Sequence, residues 1–188
     1  MFSPGDVIAF SGTHPVSWLI RAVTLSAYSH VGVCFQYGSR TLLCESTTLL
    51  DTPCEIEHRC FSGVQAQSPF ERIRTHQGRV YVLRPYWPYT ERDSQELTKF
   101  CLNCIGTEYD TLEAGLSGTR RLKHWFVGTE NQQFCSELVC RSQQYLRRVP
   151  PPPGAYRGPA DPSDFNPGVL VKYLTRYWQA YREPELVN

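Results

Sequence analysis

The clearest pattern along the chain is the alternation in YSHVGVCFQY, where His30, Gly32 and Cys34 fall on one face and Val31, Val33 and Phe35 on the other. A period of two predicts a half-buried strand. SRTLLCES, residues 39–46, predicts a second strand, and the Tyr37–Gly38–Ser39 turn between them is short enough for a hairpin. DVIAF (6–10), after the turn SPG, and GRVYVLRP (78–85), ending at Pro85, add two more strands. A weaker strand signal lies around Gly63–Ala66, inside a segment that otherwise shows little periodicity.

Helical spacing appears four times. In SWLIRAVTL the apolar residues are Trp18, Leu19, Ala22 and Val23. ERDSQELTKFCLNCIG puts Leu97, Phe100, Cys101, Cys104 and Ile105 on one side, with Gly106 as its stop. Ser136–Arg148 is the third helix, and the fourth fits Leu170, Tyr173, Leu174, Tyr177, Trp178 and Tyr181. Residues 107–131 connect the second helix to the third, with GTEYD (106–110) at the start of the connection. PPPPG is a rigid loop rather than a linker, because too little chain follows it to fold alone. There is no internal repeat, and 188 residues predict one domain, 1–188, with a core of its own.

Composition narrows the class. A formal charge of +1 gives no case for a nucleic-acid partner or an anionic membrane surface. No run approaches the roughly 18 apolar residues of a membrane span. MFSPGDVIAF lacks a basic stretch followed by an apolar one, so no signal peptide is expected. The expected location is cytoplasmic, or reached by a non-classical route. Eight cysteines could form a disulfide framework, but a chain of this size builds a core without one, and reduced thiols are expected.

Among those thiols Cys135 stands out, because FCSELV places it at the start of a predicted helix. Free backbone N–H groups there favour a thiolate and can stabilise an oxyanion. A cysteine nucleophile needs a base, and His30 at the head of its alternating strand is the best candidate. A third polar group should orient the imidazole. A turn near Gly38 pairs position 30 with roughly position 46, which brings Glu45 within register error of His30. Taken singly, the three have ordinary readings: a buried thiol, a structural histidine and a solvent-facing glutamate. Together they describe one plausible site geometry.

The remaining cysteines read as packing. Cys101 and Cys104 form a C-x-x-C in mid-helix without a second ligand pair, and Cys54, His58 and Cys60 match structural zinc spacing poorly. No metal and no cofactor is expected. Cys34 shares the His30 face of its strand, and Cys140 lies inside the third helix.

GDVIAF, SHVGV, the strand with CES, GTEYD, and FCSELV followed by a Pro-Ser-Asp tail resemble a known group. They are similar to the permuted papain-like cysteine hydrolases of the NlpC superfamily, the YaeF/YiiX type. The resemblance runs from Gly5 to about Asp164, with the histidine ahead of the cysteine, which is the permuted order. It implies an α+β, circularly permuted papain-like fold, an antiparallel sheet or partial barrel packed against helices. It implies Cys135 as nucleophile, His30 as base and Glu45 as the residue orienting it. Tyr109 of GTEYD would border the cleft near the oxyanion, and Ser136 would contribute its backbone N–H. The implied activity is a cysteine peptidase or amidase cleaving a peptide, γ-glutamyl or isopeptide bond, with small peptide or cell-wall-derived amides as substrates. Two alternatives stand beside it: an acyltransferase or lipid hydrolase of the lecithin:retinol acyltransferase type, and a non-catalytic binding module on the same fold.

Overall fold

The computed structural model describes residues 1–13, 17, 21, 26–48, 50–107, 130–149 and 165–188. Among them, β1 (Val7–Gly12), β2 (His30–Tyr37), β3 (Arg40–Thr47), β4 (Gly63–Gln67), β5 (Gly78–Leu83) and β6 (Glu185–Leu186) form one sheet in the order β4-β3-β2-β1-β5-β6. Every pairing is antiparallel and the sheet does not close. The α-helices are α1 (Pro69–Thr75), α2 (Glu91–Cys104), α3 (Glu130–Tyr145) and α4 (Pro167–Lys172). The helix expected at 17–25 lies mostly outside the described residues, as do the connection beyond residue 107 and the PPPPG loop.

The β2–β3 hairpin forms as the sequence suggests. Tyr37 pairs with Arg40, leaving Gly38 and Ser39 as a two-residue loop. Gly38 has a φ of 58°, the left-handed conformation such tight loops need and glycine adopts at no steric cost.

Side chains alternate across a strand, so the sheet has two apolar faces. One carries Val7, Ala9, Val31, Val33, Phe35 and Cys44 and packs on Leu97 of α2, Val139 of α3 and Leu170 of α4. The other carries Ile8, Phe10, Cys34, Leu43, Val80 and Val82, with Phe2 and Ile73 of α1 against it. A strand covered on both faces needs apolar side chains at successive positions, which is why VIAF in β1 is a continuous run.

Four features depart from expectation. The helix α1 gave no signal because seven residues are too few to show a 3.6-residue period. It is set by Ser68, which caps the Glu71 N–H, and by Pro69 in the first turn. The helix α3 begins at Glu130 rather than near Ser136, since ENQQ carries no apolar stripe to mark its first turn. The last helix is not uniform: α4, capped by Asn166, runs into a π-helical turn over Tyr173–Tyr177. Tyr173 packs there against Phe165, Tyr177 and Trp178. Finally, β6 is two exposed residues with no apolar alternation, recruited to the edge by pairing with β5.

Candidate functional site

The ladders bring the candidate residues together. Phe10 of β1 faces His30, the first residue of β2. In the β2–β3 ladder Val33 pairs with Cys44, so the same register carried to the strand ends sets Gly32 opposite Glu45 and His30 opposite Thr47. Opposed residues share a face, which puts Glu45 diagonally beside His30 on the Phe10 side. The sequence placed position 30 near position 46. That register would have turned Glu45 to the other face, and one residue of difference unites the pair. Gly32 provides the room: a Cβ there would meet Leu43 Cδ1 at 2.8 Å, the Cys44 carbonyl oxygen at 2.9 Å and Glu45 Cβ at 3.2 Å.

His30 Nε2 and Glu45 Oε2 lie 2.6 Å apart. The other carboxylate oxygen, Oε1, accepts a hydrogen bond from Arg72 Nε of α1 at 2.8 Å. Only 1% of the Glu45 side chain is exposed, against 16% for His30 and 14% for Arg72. Burial favours the protonated acid, but the Arg72 charge, and then the hydrogen bond and charge of His30, outweigh it and hold the Glu45 pKa at about 2.

Cys135 lies in the second turn of α3, within the buried cluster on the helical face. It meets His30 at the end of the sheet where β2 begins, and its side chain is hydrogen-bonded to the imidazole. Burial opposes a charged ring at His30. The electrostatic interaction and hydrogen bond with Cys135, and then the hydrogen bond and charge of Glu45, overcome that, raising the His30 pKa to about 9. A thiol, an imidazole and a carboxylate are therefore linked in series, with a guanidinium behind the carboxylate.

Phe10 floors this arrangement. Its ring centroid is 5.6 Å from that of His30, and the Arg72 guanidinium carbon lies 4.8 Å from it. The same ring meets His76 at 5.0 Å. Burial, followed by the positive charges of Arg72 and His30, pushes the His76 pKa down to about 4, so His76 stays neutral where its neighbours are charged.

Of the other anticipated residues, Tyr109 lies outside the described residues. Ser136 is buried, and its hydroxyl donates to the Phe165 carbonyl, tying α3 to the segment before α4. With α3 starting at Glu130, Cys135 and Ser136 both lie in its second turn rather than at the helix end where the sequence placed them. Glu137 pairs with Arg141 one turn on, at 2.7 Å. Arg72 was missed: one arginine in an unperiodic segment gives the sequence nothing to mark it.

All eight cysteines are free thiols. Cys44 is hydrogen-bonded to Cys101, and that bond together with burial raises its pKa well above the ordinary thiol value. Burial likewise pushes Cys104 to about 12. Both are poor nucleophiles.

No protein-family model matches the chain, and no curated protein matches it. Among solved structures, the chain is similar to the crystal structure of the metalloprotein yiiX from Escherichia coli O157:H7, DUF1105. The two share 18% identity with a TM-score of 0.51, over 98% of this chain and 88% of that one. The chain has a yiiX-like fold. Among the described residues, no group of three or more histidine, cysteine and acidic side chains is arranged to hold a metal ion. At the His30 site both Glu45 oxygens are already engaged, one by a guanidinium that repels cations, so these residues do not fit a metal. No helix among the described residues is long and apolar enough to cross a membrane.

Proposed function

We propose that the chain is a permuted papain-like cysteine hydrolase that cleaves an amide bond through an acyl-enzyme on Cys135. One observation carries the reading: Cys135 is hydrogen-bonded to a His30 ring whose Nε2 is held by the buried carboxylate of Glu45. With Nε2 committed to Glu45, Nδ1 is the nitrogen left for the thiol. The motif order and the yiiX-like fold support the same reading.

Cys135 gives its proton to His30, and the thiolate sulfur attacks the amide carbonyl carbon. His30 passes that proton to the departing amine nitrogen as the C–N bond breaks, leaving a thioester on Cys135. Water then attacks the thioester while His30 takes a proton from it. The carboxylic acid leaves, and the proton returns to the sulfur. Glu45 keeps Nε2–H engaged throughout and balances the imidazolium charge. Cys135 itself is buried, and the exposed fraction of the His30 ring marks the side from which the acyl group comes. The motif resemblance points to small peptides as substrates, with γ-glutamyl and isopeptide links and cell-wall-derived amides among them.

The test uses a panel of peptide, γ-glutamyl and isopeptide substrates, acid-quenched and weighed as intact protein. The expected results are an acyl adduct that maps to Cys135, free amine in solution, and loss of both in Cys135→Ala. Amine release that persists in Cys135→Ala would overturn the reading.

A further inference from the structure

We infer that Arg72 is a positioning residue for the Cys135–His30 pair, acting through Glu45. The inference rests on the proposed function above and deepens it. Glu45 is almost wholly buried, and a buried carboxylate is stable as an anion only when its lone pairs are matched by donors. His30 matches Oε2, and Arg72 matches Oε1 at 2.8 Å through Nε. With both oxygens committed, the carboxylate cannot rotate about its own axis without breaking a charged hydrogen bond. The direction in which Oε2 presents itself to His30 is therefore fixed from behind.

Arg72 is itself fixed. Its guanidinium lies against the Phe10 ring at 4.8 Å, and its helix α1 is started by the Ser68 cap and Pro69 and anchored on the sheet through Ile73. The same Phe10 ring borders His30 on one side and His76 on another. The groups facing the imidazole are thus Cys135 from α3, Glu45 from β3, Arg72 from α1 and the neutral His76 just after α1. The contacts Arg72 makes at the site are with Glu45 and the Phe10 ring. Its hydrogen bond reaches the pair through that one carboxylate.

Removing the guanidinium leaves Oε1 buried without a donor, and Glu45 then recovers by taking up a proton. A neutral Glu45 no longer balances an imidazolium, so Cys135 loses the partner that accepts its proton. The other face of the same effect is that removing the carboxylate should make Arg72 dispensable.

The experiment is a double-mutant cycle on the full chain. It uses Arg72→Gln, Glu45→Gln and the pair, with His30→Gln as reference, and reads the rate of Cys135 alkylation by iodoacetamide from pH 5 to 9 by peptide mapping. Arg72→Gln should slow alkylation at pH 7 roughly ten- to a hundredfold, the worth of one hydrogen bond to a charged group. It should also move the acid limb of the profile to higher pH, while Arg72→Lys, which keeps the charge, restores most of the limb. In the Glu45→Gln background Arg72→Gln should change the rate less than threefold. If Arg72→Gln alone folds poorly, Arg72→Lys takes its place in both backgrounds, its smaller effect expected only where Glu45 is intact. An Arg72→Gln effect of equal size in both backgrounds, or no effect in the wild-type background, would overturn the positioning role. If His30→Gln leaves Cys135 alkylation unchanged, the hydrolase reading falls first and this inference with it. A dependence on His30 without a dependence on Arg72 sinks this inference alone.

Discussion

Glu45 carries a full charge where carboxylates are seldom found, with 1% of its side chain exposed, and it does so between two cations. The space it occupies depends on Gly32, its ladder neighbour, which presents no side chain. Gly32→Ala would bring a methyl group to 2.9 Å from the Cys44 carbonyl oxygen, a backbone atom that cannot swing aside. The expected cost is about 1–3 kcal/mol of stability, read from the urea midpoint, with a loss of Cys135 alkylation as Glu45 is displaced. An unchanged midpoint would mean that the hairpin tolerates a side chain beside Glu45. Cys135, His30 and Glu45 were legible at this scale because each belongs to a short motif, and the motifs occur in an informative order. Arg72 was not, since its significance lies in the atom it reaches and not in its neighbours along the chain.

At the scale of elements, the long or strongly alternating ones were readable. The β2–β3 hairpin is specified by its two-residue loop, and α2 by a reciprocal cap in which Thr90 and Asp93 satisfy each other's N–H groups. What could not be read was set by tertiary contact. The helix α1 is only seven residues long, and β6 only two. The early start of α3 at Glu130 is written in polar residues. This difference moves both Cys135 and Ser136 from the helix end into its second turn. The hairpin register was predicted to within one residue, yet in a strand one residue decides which face a side chain occupies.

Across the whole molecule, three perturbed groups around the site set a pH window for folding. Glu45 titrates at about 2 in the folded chain against an ordinary 4.5, so its contribution is present above pH 4.5 and lost as pH falls through 2. His76, lowered from 6.5 to about 4, binds no proton in the folded chain where the unfolded chain does, so stability falls as pH drops from 6.5 to 4. His30, raised from 6.5 to about 9, acts in the opposite direction: its contribution is complete below 6.5 and lost as pH rises through 9. Stability should therefore peak near pH 6.5. Urea midpoints across the range should show an alkaline decline that flattens in His30→Gln and an acid decline between 6.5 and 4 that flattens in His76→Gln. Identical profiles in wild type and both variants would contradict these assignments.

The coupling of His30 to Cys135 is the central claim, and the most direct measurement of it is an NMR titration of the His30 ring, assigned by its absence in His30→Gln. The ring should stay protonated to about pH 9 in the wild-type chain. In Cys135→Ala, with the largest favourable contribution gone, it should titrate about one pH unit lower or more. A His30 that titrates near 6.5 in the wild type, or whose titration is the same with and without the Cys135 sulfur, would contradict the pairing on which the proposed chemistry depends.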